Sequence, residues 1–139
     1  MPHSTKIYGL DTSVFVRLLT GHPEPDFRKT ITVLKKLHDT NPATELFVSN
    51  QVIGEAYVTL QHHYQISKAD ARAAILNLLS NGNIAPLNGQ SVINTIKKTG
   101  GAGLVDRLIA QEYAYRNSVT LTNDKRMAKI EGVELLKCN

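Results

Sequence analysis

The chain is short of cysteine, of long apolar runs and of blocks of like charge, and each shortage removes a class of protein. The single cysteine, Cys138, stands beside the C-terminus and cannot close an internal disulfide, so a disulfide-stapled scaffold is excluded and a reducing cytoplasm is the expected compartment. No apolar stretch approaches the ~18 residues that cross a bilayer. The opening Met1-Pro2-His3-Ser4-Thr5-Lys6 lacks the apolar core of a signal peptide, so a soluble protein with no membrane partner is expected. No acidic or basic run is long enough for a disordered tail, and no repeat, low-complexity segment or linker divides the chain. Several chemistries are missing too: there is no nucleophile elbow, phosphate-binding loop or dinucleotide fingerprint. His62 and His63 are adjacent and point about 100° apart on a helix, which is not the i,i+4 geometry of a helical metal clamp.

What is present suits one domain spanning residues 1–139. At that length a chain buries roughly two thirds of its unfolded surface, and the 42% hydrophobic and 20% charged content is that of an ordinary soluble core and surface. The formal charge of +4 permits a polyanionic partner such as nucleic acid without requiring one.

Five short apolar runs alternate with helical patterns, the signature of a parallel sheet with helices packed on its faces. The strand candidates are 7–10, 46–48, 84–87, 119–121 and 133–136, all short and unalternating as strands buried on both sides are. Pro86 predicts that the third is an edge. Helices are predicted at 13–20, 25–39, 50–64, 68–80, 91–99 and 104–116. Pro25 suits a first helical turn, Ser67-Lys68-Ala69-Asp70 reads as a capping box, and Gly100-Gly101-Ala102-Gly103 reads as a flexible loop.

Four carboxylates fall where such a fold gathers ligands. Asp11 follows the first strand and Asp124 the fourth, and open parallel sheets bind ligands beyond the carboxyl ends of their strands. Were those strands neighbours, the two like charges would need a cation between them. Asp106 falls within an apolar stripe of Ala102, Val105, Ile109, Ala110 and Tyr113, where an unpaired ion is costly. Glu55 stands at the flank of the inward face formed by Val52, Ile53, Ala56, Tyr57 and Leu60. Each acid also has a plainer role. Asp11 and Asp124 are placed to cap the helices that follow them, Asp106 to complement its helix dipole, and Glu55 to meet solvent.

The segments Leu10-Asp11-Thr12-Ser13-Val14-Phe15, Ser49-Asn50-Gln51-Val52-Ile53-Gly54-Glu55, Val105-Asp106-Arg107-Leu108-Ile109-Ala110 and Leu121-Thr122-Asn123-Asp124-Lys125 together resemble the PIN-domain family of metal-dependent ribonucleases. Within it they are similar to the small single-domain toxins of VapBC-type toxin-antitoxin pairs, and order and spacing agree over essentially the whole chain. The resemblance implies a three-layer α/β/α sandwich around a central, mainly parallel sheet of about five strands. It also implies that Asp11, Glu55, Asp106 and Asp124 are catalytic ligands of Mg2+ or Mn2+, with Thr12, Ser13 and Thr122 orienting them. Glu55 rests chiefly on this resemblance. Some relatives hold a further acid where this chain has Gly100-Gly101-Ala102-Gly103, a departure that argues against a fully occupied two-metal site.

The implied reaction is hydrolysis of an RNA phosphodiester, with Arg107, Lys125, Arg126 and Lys129 near enough in sequence to the acids to hold flanking phosphates. The implied partners are an RNA substrate, a small antitoxin protein and a second copy in a homodimer. Two alternatives stay open: a catalytically weak RNA-binding or protein-interaction module of the same fold, and a metal-dependent nuclease or phosphatase acting on another phosphate ester. An aspartyl phosphatase would place a second acid two residues after Asp11, where this chain has Ser13.

Overall fold

Every strand pairing in the structure, a computed structural model that describes residues 6–81 and 83–136, is parallel. The opening residues Met1 to Thr5 and the thiol of Cys138, both used in the sequence reading, lie outside the described residues. The chain forms two compact units, Met1–Leu87 and Asn88–Asn139.

The first unit runs β1 (Ile7–Gly9), α1 (Thr12–Thr20), α2 (Glu24–Thr40), β2 (Glu45–Val48), α3 (Asn50–His62), α4 (Lys68–Ser80) and β3 (Ile84–Pro86). Its sheet has the order β1-β2-β3, with Ile7 opposite Glu45 and Leu46 opposite Ile84. Parallel neighbours require long crossovers, and each is made by a helix pair, α1 with α2 and then α3 with α4. Pro86 closes β3 at an edge of this sheet, where its missing N–H interrupts no ladder, as expected.

Local chemistry sets the helix ends. Ser49 Oγ accepts from Val52 N at 3.2 Å to start α3, and Ser67 Oγ accepts from Asp70 N at 3.1 Å to start α4, which is the serine half of the predicted capping box. Pro25 lies in the first turn of α2, where an absent N–H costs nothing. Helix α1 ends because Gly21 turns left-handed at φ 65° and returns its N–H to Arg17 O at 2.8 Å. The core that holds these elements together is Phe15, Val48, Ile53, Leu60 and Ile75, all fully buried. Burying each such side chain contributes roughly 1.5–3 kcal/mol.

The strands are less uniformly buried than their apolar runs suggest. In β3, Ile84 and Pro86 are buried while Ala85 between them is exposed, and Ile7 of β1 is exposed. Successive side chains of a strand point to opposite faces, so a continuous apolar run does not by itself guarantee cover on both.

The second unit comprises α5 (Gln90–Lys97), α6 (Leu104–Tyr115), β4 (Thr120–Thr122), a single 3-10 turn (Met127–Lys129) and β5 (Val133–Leu135). β4 pairs with β5, and Ala110, Met127 and Val133 form a buried cluster with Ile130 against it. Here the sequence reading of α6 needs correction. The buried face is Leu104, Leu108, Ala110 and Gln111; of the expected inward stripe Ala102 and Ala110 are buried as expected, while Val105, Ile109 and Tyr113 are exposed. Both sets have helical spacing, and periodicity alone does not choose between two apolar faces of one helix. Gln111 is accommodated because its amide donates to Ser91 Oγ at 2.8 Å and accepts from Asn88 Nδ2 at 3.4 Å. Among the described residues no helix is long and apolar enough to cross a membrane.

Candidate metal centre

Two of the four acids are tied to one threonine. Asp11 occupies the N-cap of α1, two residues beyond the end of β1, and its Oδ1 accepts from Thr12 N at 2.8 Å. The Thr12 hydroxyl donates to Glu55 Oε2 at 2.5 Å, and Gln51 Nε2, one turn earlier on α3, donates to Glu55 Oε1 at 3.2 Å. Helix α3 presents Ile53, Ala56, Tyr57 and Leu60 to the core, which leaves Glu55 on its exposed side facing Thr12.

This arrangement has an electrostatic consequence. The Thr12 hydroxyl first, and the Gln51 amide second, hold the Glu55 carboxyl below the ordinary glutamate value, so Glu55 is a carboxylate at neutral pH and has no proton to give. Each of its oxygens keeps a second lone pair after accepting one bond. Asp11 Oδ2 accepts from no described residue. The pair therefore supplies hard, anionic oxygen donors, the chemistry that suits Mg2+ or Mn2+.

The second unit carries the other two acids. Asp124 lies two residues past the end of β4, the same offset that Asp11 has from β1. Its Oδ1 accepts from Arg126 N at 2.7 Å and Met127 N at 3.3 Å, and its own N–H is held by Thr122 Oγ1 at 3.0 Å. Capping is thus an actual function of Asp124, as it is of Asp11, and leaves Oδ2 over. Asp106 is half-buried in the first turn of α6. With the neighbouring Val105 and Ile109 exposed, the argument from a charge trapped inside an apolar stripe no longer applies to it. Within neither unit do three or more His, Cys, Asp or Glu side chains of the described residues gather closely enough to hold one metal ion.

Of the other predicted residues, Ser13 is exposed, and Lys125, Arg126 and Lys129 are exposed around the turn that Asp124 caps. Arg107 is half-buried; its Nε donates to Ala102 O at 3.0 Å and its Nη2 to Gly100 O at 2.5 Å. These bonds engage two of the five guanidinium N–H donors. Sequence reasoning also passed over Gln51, although its position four residues before Glu55 on a helix is a usable signal. A groove of about 580 Å3 in the first unit is lined by residues including Leu18, Ile31, Leu34, Phe47 and Leu78. Neither Asp11 nor Glu55 lines it, so the acids and this groove are separate features.

Comparison with known proteins places these residues in a family. The sequence model of the family described as PIN domain matches residues 8–133, a span that contains all four acids. PIN domains are generally nucleases. The chain is also similar to one in the solved structure of VapBC2 from Rickettsia felis bound to a DNA fragment from their promoter, with 19% identity over 94% of this chain and 97% of that one, and a TM-score of 0.41. No curated protein matches.

Proposed function

We propose, from the premise that the chain belongs to the PIN-domain family, that it is a metal-dependent endoribonuclease. In this reading residues 1–139 are one PIN-like domain, acting in the cytoplasm as the toxin of a type II toxin-antitoxin pair. The single observation that carries the catalytic part is the Asp11-Thr12-Glu55 arrangement, an ionised glutamate and a strand-end aspartate both bonded to one residue. The ligands of Mg2+ or Mn2+ are Asp11, Glu55, Asp106 and Asp124, all oxygen donors.

When bound, the cation supplies a more acidic water and positive charge beside the phosphodiester. The chain's own residues do the rest. Thr12 and Gln51 keep Glu55 ionised and hold its orientation. Thr122 steadies the backbone of Asp124. Lys125 and Arg126, both exposed, hold flanking phosphates and lend affinity without reading sequence. Glu55 acts as ligand and orienting acceptor, not as the acid that protonates the leaving oxygen.

An RNA substrate, a small antitoxin that blocks the acids and a homodimeric assembly complete the reading. The test is incubation of the purified protein with a mixed RNA pool and with single- and double-stranded DNA, with Mg2+, with Mn2+ and with chelator. Cleavage of RNA that requires either cation is the expected result. RNA binding without cleavage would overturn it in favour of a binding module, and cleavage of DNA alone would move the activity to another substrate.

A further inference from the structure

Helix α6 starts without the device that starts α1, α3 and α4. Its N-cap is Gly103, which has no side chain to accept from the first turn, whereas Asp11, Ser49 and Ser67 cap the other three. Arg107, the fourth residue of α6, also puts a cation near the positive end of the helix dipole, where charge of that sign is unfavourable. The charge finds acceptors close by. The guanidinium reaches back across the preceding loop and donates from Nε to Ala102 O and from Nη2 to Gly100 O.

The loop is shaped to receive it. Gly100 and Gly101 are successive left-handed residues at φ 77° and 66°, a bend that brings carbonyls two residues apart within reach of one planar fork. A Cβ added to Gly101 would stand 3.5 Å from Arg107 Nη2. Arg107 N itself donates to Gly103 O at 3.1 Å, so the same residue fastens the loop by its side chain and opens the helix by its backbone.

We propose that Arg107 is a positioning residue: it latches Gly100–Ala102 to the first turn of α6 and thereby fixes Asp106, its neighbour in that turn. This rests on the reading of Asp106 as a metal ligand, and it removes Arg107 from the set of phosphate contacts. A lysine does not replace it, because one ammonium lacks the rigid pair of donors that spans both carbonyls.

The experiment uses the full chain with Arg107→Lys, Gly101→Ala and the double variant. Amide exchange at residues 100–106 is read by NMR without metal, Mn2+ affinity by water-proton relaxation, and RNA affinity against salt in the absence of divalent metal. Each single variant speeds exchange at residues 100–106 about tenfold, as expected for loss of a charge-assisted bond, and leaves α4 unchanged. Each weakens Mn2+ binding about 10–100-fold, as loss of a ligand's supporting partner does. The double variant is no worse than either single, because both break one latch. The salt slope of RNA binding stays that of the wild type. Wild-type exchange in Arg107→Lys overturns the latch, as does a salt slope lowered by about one, which marks a phosphate contact. Should the wild type bind no Mn2+, the metal reading of Asp106 fails, while the exchange data still decide the latch by themselves.

Discussion

The hydroxyl of Thr12 donates to Glu55 Oε2 across 43 positions of sequence, joining the first turn of α1 to the outer side of α3. The bond sits one residue from Asp11, whose own carboxylate accepts from the Thr12 backbone. Thr12 thus serves both acids, by its backbone toward one and by its side chain toward the other.

Removing that hydroxyl tests the link. Thr12→Val keeps the shape of the side chain and loses its donor, so the Glu55 pKa rises toward the ordinary glutamate value, with Gln51 still holding part of the shift. The pKa is lowered in the folded protein, so the stability it brings is present above the unfolded pKa and is lost as pH falls through the folded one. Thr12→Val shrinks that contribution. Carbon-detected NMR titration of the Glu55 carboxyl measures it, and an unmoved titration contradicts the assigned cause.

Asp11 caps α1 and, in the proposed reading, binds the cation, and substitution separates the two roles. Asn caps helices as well as Asp does, so Asp11→Asn changes stability by less than ~0.5 kcal/mol, whereas Asp11→Ala costs about 1 kcal/mol through loss of the cap. Both remove the charge that a cation needs. Urea denaturation beside Mn2+ titration reads the two effects: both variants lose metal affinity, and only Asp11→Ala loses appreciable stability.

At Gly21 the cost of a side chain is conformational, not steric. An added Cβ meets only Phe27 Cδ2, at 4.0 Å, while the backbone is left-handed at φ 65°. Gly21→Ala therefore destabilises by roughly 1–2 kcal/mol. Gly21→Asn costs less, because asparagine tolerates that region better. Thermal unfolding of the two variants ranks them.

The packing of the first unit is tested at Ile53, which is fully buried. Ile53→Ala leaves a cavity and lowers stability by about 2–5 kcal/mol by urea denaturation.

The fold was largely legible because its local signals are explicit. Apolar runs separated by helical patterns placed all five strands and six helices within two residues of their observed ends. Ser67 and Pro25 marked helix starts by chemistry that acts within one turn. Long-range relations were another matter. Glu55 had the weakest sequence support of the four acids, because the donor that engages it comes from a distant segment and leaves no trace in local spacing. The stripe argument for Asp106 does not hold because α6 carries two apolar sets at helical spacing, and packing turns Leu104 and Leu108 inward and Val105 and Ile109 outward. Arg107 read as a surface cation near an acid. Its hydrogen bonds go to carbonyls five and seven residues back, across the left-handed bend at Gly100 and Gly101, which local spacing does not reveal.

The central claim is that these acids hold a catalytic cation, and one comparison tests it most directly. Wild type, Asp11→Asn and Asp106→Asn are incubated with the same RNA pool in Mn2+, with folding verified for each by circular dichroism. The account predicts cleavage by the wild type and a loss of at least about 100-fold in both variants, the scale expected when a metal's charge stabilisation of several kcal/mol is withdrawn. Equal cleavage by all three proteins would contradict it.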